Sequence, residues 1–172
     1  MNNIMSKKIC ITFAGVVGSS KTPIAIFLSG KLGLPVLNND AIRIEILEDL
    51  REFQDQEYKK RRDDRLEAVL ERNISFIYDA SIDREWQKLH EWLLNYNYAW
   101  FIISLDLSKD LLVKLYKIKG YGESMERIDQ LISDHDNFLL KHGQEINLHI
   151  SDAEFDERLS LCYEKLKVRF EK

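Results

Sequence analysis

The sequence predicts an α/β fold built on a parallel sheet. Short, nearly all-apolar runs alternate with longer stretches whose apolar residues recur at helical spacing, the pattern of strands joined by crossover helices. The first apolar run also leads through a glycine-rich turn directly into a helical period.

Ile9 to Ala14 is almost wholly apolar, as a strand buried on both faces should be. Ile24, Phe27, Leu28 and Leu32 then mark a helix, with Gly33 as its stop. Pro35 to Asp40 reads as a short second strand and its end, and Ile42, Ile46, Leu47, Leu50 and Phe53 as the next helix. The stretch from Asp55 to Asp64 is so polar that it reads as mobile, with a helix resuming at Leu66, Val69 and Leu70. Ile74 to Asp79 forms the third strand, Trp86, Leu89, Leu93 and Tyr96 a helix face, and Tyr98 to Asp106 the fourth strand. A short helix carries Leu111, Leu112, Leu115 and Ile118, and Gly120-Tyr121-Gly122 interrupts it. A further helix carries Ile128, Leu131, Ile132, Phe138 and Leu139. Ile146 to Ile150 alternates as a fifth strand, and Phe155, Leu159, Cys162 and Leu166 line the last helix, with Ser151 or Asp152 as its expected cap.

The chain of 172 residues suits one domain, with no repeat or linker to divide it. Its formal net charge of −4, from 25 basic and 29 acidic residues, supplies no bulk basic field for nucleic acid and leaves only a local basic patch as a means of binding it. No apolar run approaches the ~20 residues that span a membrane. Cys10 and Cys162 are too few and too distant for a disulfide framework, which points to a reducing cytoplasm. The sequence carries no indication of oligomeric state.

The chemistry concentrates in Gly15-Val16-Val17-Gly18-Ser19-Ser20-Lys21-Thr22. The phosphate-binding loop signature is Gly, four residues, then Gly-Lys-Ser/Thr, and here Gly15, Lys21 and Thr22 stand in place while Ser20 replaces the second glycine. Glycines let backbone N–H groups turn onto phosphates, Lys21 would neutralise the β- and γ-phosphates of ATP, and Thr22 would offer its hydroxyl to Mg²⁺. The following helix adds its positive end, and Pro23 falls in its first turn, where a missing N–H costs little. The alternative is an ordinary strand–turn–helix with chance Gly and Lys.

In an open parallel sheet the carboxyl ends of neighbouring strands form the ligand crevice. Asp40, ending the second strand, is placed to accept a proton from an attacking hydroxyl, and Arg43, three residues on, to hold an anionic group of the acceptor. A helix-capping Asp40 with a solvated Arg43 is the plainer alternative. Asp79 closes a buried strand, as a metal-holding carboxylate does, or else serves a turn. Asp106 ends the fourth strand beside Ser108 and Asp110, which suggests capping. Lys114, Lys117 and Lys119 precede the glycine-flanked turn and Arg127 follows it, either as a basic lid over the triphosphate at about residues 114–127 or as a solvated face. The four histidines show no metal spacing, the three tryptophans read as core or helix-face residues, and the run Lys59 to Arg65 as a surface helix.

The order of these features (the loop, Asn39-Asp40-Ala41-Ile42-Arg43 after the second strand, Ile77-Tyr78-Asp79-Ala80-Ser81 closing the third, then the lysine-rich lid) resembles the small P-loop kinases, a group similar to polynucleotide kinase, adenylylsulfate kinase and the zeta-toxin kinases. The resemblance implies a three-layer α/β/α P-loop NTPase fold with a five-stranded parallel sheet. It implies transfer of the γ-phosphoryl of Mg·ATP to a hydroxyl or phosphate acceptor on an unidentified small molecule or nucleotide. Val17, Gly18, Ser19 and Ser20 would join Gly15, Lys21 and Thr22 around the nucleotide, Thr22 and Asp79 would hold Mg²⁺, and Asp40 and Arg43 would activate and orient the acceptor. A polynucleotide or nucleotide-sugar kinase of toxin-like activity falls within the same resemblance. The chain departs from the pattern at Ser20, which suits a nucleotide-binding regulator without transfer, and in carrying lysines where such kinases carry lid arginines; lysine lacks the planar two-point contact of arginine.

Overall fold

The computed structural model describes residues 8–170. Five strands, β1 (Ile9–Ala14), β2 (Val36–Asn38), β3 (Phe76–Ser81), β4 (Ala99–Leu105) and β5 (Leu148–Ile150), form one sheet in the order β2-β3-β1-β4-β5. Every neighbouring pair is parallel. Seven α-helices connect them, α1 (Lys21–Leu32), α2 (Asn39–Leu50), α3 (Asp55–Glu71), α4 (Trp86–Asn95), α5 (Lys109–Lys119), α6 (Gly122–Glu126) and α7 (Ile128–His142), and an eighth, α8 (Arg158–Phe170), follows β5.

Alternating residues of the central strands feed two cores, one on each face of the sheet. Ile11, Phe13 and Ile103 pack with Leu28 of α1 and Leu166 of α8 on one face. Cys10, Phe76 and Ile102 pack with Leu70 of α3 and Leu89 of α4 on the other. The result is the expected three-layer arrangement, in which helices cover both faces of a parallel sheet. β1 lies at the centre, so its carboxyl end opens where the strand order reverses, the usual ligand crevice of such sheets.

Four sequence expectations need correction. The polar stretch from Asp55 is the first half of α3, held by ion pairs from Lys59 to Asp55 and from Arg61 to Glu57 and Asp49. Arg62, in the run expected to lie on the surface, is 5% exposed and donates to both carboxylate oxygens of Glu85 at 2.5 and 2.6 Å. The last helix begins at Arg158, well after Ser151 and Asp152; Asp152 instead accepts from the backbone N–H of Ser108. Asp106 caps no helix, since Ser108 caps α5 by accepting from Leu111 N–H.

Among the described residues no helix is long and apolar enough to cross a membrane. Cys10 and Cys162 are both buried and unpaired.

Candidate active site

The eight-residue loop leaves the carboxyl end of β1 and enters α1, as the sequence indicates. Gly15 sits at φ 129° and Gly18 at φ 77°, both disfavoured for other residues. Gly18 has a second constraint: a Cβ there would meet the Tyr116 ring at 2.7 Å and the Tyr121 ring at 3.0 Å. Ser20 occupies the left-handed region at φ 82°, ψ 30°, so the loop retains a glycine-type backbone despite the substitution. Its hydroxyl accepts from Arg158 Nη2 at 3.3 Å, at the start of α8. That guanidinium is stacked 4.0 Å over Phe155 and donates to the Phe155 carbonyl at 2.6 Å.

The rest of the loop is tied as closely. Lys21 Nζ donates to the carbonyls of Gly15 at 2.8 Å and Val16 at 2.7 Å, and Tyr116 donates to Val17 at 2.5 Å. Lys119 Nζ donates to the Gly18 carbonyl at 2.7 Å. The Gly15 carbonyl also accepts from Ser81 Oγ at 2.9 Å, while the Gly15 N–H donates to Asp83 Oδ1 at 3.0 Å. Ser19 is fully buried. With the carbonyls engaged from outside, the loop has the form of a cradle whose remaining N–H groups and helix end suit an anion.

Lys21 stands among acids. Burial lowers its pKa to about 8, against the opposing pull of Asp83 and Asp79; Lys119 lowers it further and Asp40 raises it. Asp79 is itself buried, and that burial pushes its carboxyl up, while Thr22, Lys21 and Asn38 pull it down. The register between β1 and β3 shifts between Thr12 and Phe13, which leaves Asp79 and Ala80 unmatched on β1 and places Asp79 beside Thr22. A hydroxyl and a carboxylate side by side form an oxygen-only donor pair, the chemistry Mg²⁺ prefers.

Asn38 caps α2, accepting from Ala41 N–H at 3.0 Å while its Nδ2 donates to Asp79 at 2.7 Å. Capping therefore falls to Asn38 and not to Asp40. Asp40 and Arg43 line the same cleft as Lys21, Thr22 and Asp79, a space of about 760 Å³. Both are exposed, and Arg43 rests its guanidinium 4.1 Å above the Phe53 ring. Asn39 donates to the buried Tyr78 hydroxyl at 3.0 Å and also faces the cleft.

Of the four cations expected in a lid, Lys119 reaches the loop and lines the cleft; Lys114, Lys117 and Arg127 are exposed and do not line it. Sequence reasoning missed Asp83, Tyr116, Glu85, Arg84 and Arg158. It also passed over His135, which bridges Asp83 and Asp106. Only Asp83 carried a signal, a second acid just beyond a strand that already ends in Asp79 and Ser81.

No protein-family model matches this sequence, and no curated protein matches it by sequence. Solved structures do match in shape. The APS kinase of Mycobacterium tuberculosis, in complex with AMPPNP and APS, has a TM-score of 0.62 at 14% identity over 94% of this chain and 98% of its own. The deoxyadenosine kinase of M. mycoides, with dCMP and dCDP bound, has a TM-score of 0.61 at 17% identity over 92% of this chain and 99% of its own. A chain from the PezAT toxin–antitoxin system of Streptococcus pneumoniae has a TM-score of 0.59 at 14% identity over 85% of this chain and 67% of its own. The fold is that of the P-loop kinases.

Proposed function

We propose that this protein is an ATP-dependent phosphotransferase, a single kinase domain that moves the γ-phosphoryl of Mg·ATP to a hydroxyl or phosphate group on a small molecule or nucleotide. One observation carries the reading: the phosphate loop, the Thr22–Asp79 oxygen pair and the Asp40–Arg43 pair line one cleft. A phosphate loop alone indicates nucleotide binding. The acid and cation facing it across the cleft supply what a second substrate needs.

Each residue has a role that its surroundings support. Backbone N–H groups of the loop and the start of α1 bind the phosphates, and Lys21 neutralises the charge that spreads onto them in the transition state. Thr22 and Asp79 would hold Mg²⁺, which would supply positive charge to neutralise the phosphates. Asp40 accepts the proton of the attacking hydroxyl, and Arg43, with Arg84 on the same cleft, orients an anionic acceptor. Lys119 and Tyr121, where α5 meets α6, close over the triphosphate as a lid and exclude water.

Supporting this reading are structural neighbours with AMPPNP and APS, or dCMP and dCDP, bound. At 14% and 17% identity these do not carry an acceptor across to this chain. The acceptor is found by a thermal-shift screen of metabolites and nucleotides in the presence of Mg²⁺ and a non-hydrolysable ATP analogue. A ligand that binds only the folded state at a hundred times its Kd adds about 2.7 kcal/mol of apparent stability. The reading predicts a shift with the analogue alone and a further one with an acceptor; no shift with any nucleotide would overturn it.

A further inference from the structure

A polar chain, buried at Asp83 and His135, runs from the start of the phosphate loop to the end of β4. Asp83 Oδ1 accepts from the Gly15 N–H at 3.0 Å, and its Oδ2 faces His135 Nδ1 at 3.2 Å. His135 Nε2 faces Asp106 Oδ1 at 2.9 Å, and Asp106 also takes bonds from Ser104 and His149. The side chains of His135 and Asp83 are 6% and 7% exposed. Both ring nitrogens of His135 thus meet carboxylate oxygens, and only an imidazolium can donate to both.

We propose that His135 is a positioning residue: as an imidazolium held between Asp83 and Asp106, it fixes Asp83 on the Gly15 N–H and so holds the phosphate loop in its nucleotide-binding shape. The inference rests on the loop's being a nucleotide site, as proposed above. Its basis is connectivity. Gly15 is the hinge between β1 and the loop, and its carbonyl and N–H are both taken, by Lys21 and Ser81 on one side and Asp83 on the other. Asp83 sits in the turn after β3, with Lys21 facing it from the loop, and the partner at its other oxygen fixes the aim of its carboxylate. That partner belongs to α7, the helix that follows the α5–α6 segment, so the same clamp ties the end of the lid to the start of the loop.

The carboxylates that face His135 directly, Asp83 and Asp106, favour its protonated form. Asp83 comes from the turn after β3, Asp106 from the end of β4, and His149 of β5 shares Asp106. On α7 itself Asp134 is paired with Arg84, and Asp136 lines a shallow space beside Asp106 and His135. Lys21 faces Asp83 from the loop. Burial alone would lower the His135 pKa, but the bonds to Asp106 and Asp83 outweigh it and raise the value to about 9. The clamp is therefore closed at neutral pH and opens on the alkaline side.

The test compares the full chain with His135→Gln and Asp83→Asn by two readouts across about pH 6 to 10. One is the exchange rate of the Gly15 amide hydrogen followed by NMR, without nucleotide. The other is Mg·ATP affinity by calorimetry. Glutamine can bond one carboxylate but cannot bridge two as a cation, and asparagine retains an acceptor for Gly15. His135→Gln should speed Gly15 exchange roughly tenfold relative to the wild type at neutral pH and weaken Mg·ATP by a similar factor. The wild type should approach the variant as the pH passes about 9. Asp83→Asn should fall between them, because one contact survives. Equal exchange and equal affinity in wild type and His135→Gln over the whole range would overturn the proposal. Should His135→Gln not fold, the wild-type exchange profile decides: a step at Gly15 in phase with the His135 ring titration supports the clamp, and its absence removes it. If Gly15 exchange responds while the wild type binds no ATP, the nucleotide assignment fails and the clamp stands.

Discussion

The phosphate loop and the wall proposed for the acceptor, Asp40 and Arg43, line one cleft but are built by opposite means. In the loop the Gly15 and Val16 carbonyls take Lys21, the Val17 carbonyl takes Tyr116 and the Gly18 carbonyl takes Lys119, while Asp83 fixes the Gly15 N–H. Asp40 and Arg43 stand exposed on the first turns of α2, beside the Asn38 cap and with Arg43 over the Phe53 ring. Under the proposed function the difference follows from the ligands. A triphosphate is the same in every such enzyme and rewards a preorganised cradle, whereas the acceptor side sets specificity and has to suit one particular molecule.

This contrast can be broken from either side. The largest effect is expected at Asp40. Asp40→Asn should lower kcat by about 10²- to 10⁴-fold, the usual worth of a positioned general base. ATP affinity measured by calorimetry should stay unchanged, because Asp40 belongs to the other wall. On the loop side, Lys21→Ala removes a charged donor to the phosphates and should weaken ATP by about a hundredfold, roughly 3 kcal/mol. A matched loss of acceptor affinity would show that the two walls are not independent.

The pH dependence of stability probes the scaffold beneath the loop. His135 has a folded-state pKa raised to about 9 from an ordinary 6.5, so its contribution is complete below 6.5 and is lost as the pH rises through 9. Asp106 runs the other way. Burial would raise it, but His135, Ser104 and His149 hold it down to about 2, so its contribution is complete above the ordinary 3.8 and is lost as the pH falls toward 2. Chemical denaturation should therefore find the contribution of these groups roughly constant between pH 3.8 and 6.5, with a loss on the order of 3 kcal/mol on the alkaline side that His135→Gln abolishes. The smallest effect belongs to Ser20→Gly. It removes a left-handed strain of about 1–2 kcal/mol but also the Arg158 bond, worth about 1 kcal/mol, so the melting temperature should rise by only a few degrees or not at all.

The same contrast explains what was legible in the sequence. The loop could be read because its chemistry lies in eight consecutive residues between a buried strand and a helix. Asp40 and Arg43 could be read because a strand end and a helix turn place them, though which residue caps α2 could not, since Asn38, Asn39 and Asp40 are all good caps. Its supports were hidden by distance along the chain: Asp83 is 68 residues from Gly15 and Arg158 is 138 from Ser20. β1, β3 and β4 stand out as apolar runs and β5 by alternation, whereas the front of α3 looks unstructured because its order comes from ion pairs and from Arg62 reaching Glu85, 23 residues away. Among the basic residues before Gly120, composition could not single out Lys119, because the choice depends on how α5 packs over Gly18.

The most direct test of the central claim follows Mg·ATP by ³¹P NMR in the presence of the acceptor found by thermal shift, for the wild type and for Asp40→Asn. The account predicts that the wild type converts ATP to ADP with a new phosphate ester or anhydride signal, and that Asp40→Asn binds ATP yet forms neither. Equal turnover in both proteins, or ATP bound by the wild type with no phosphoryl moved to any acceptor, would contradict it.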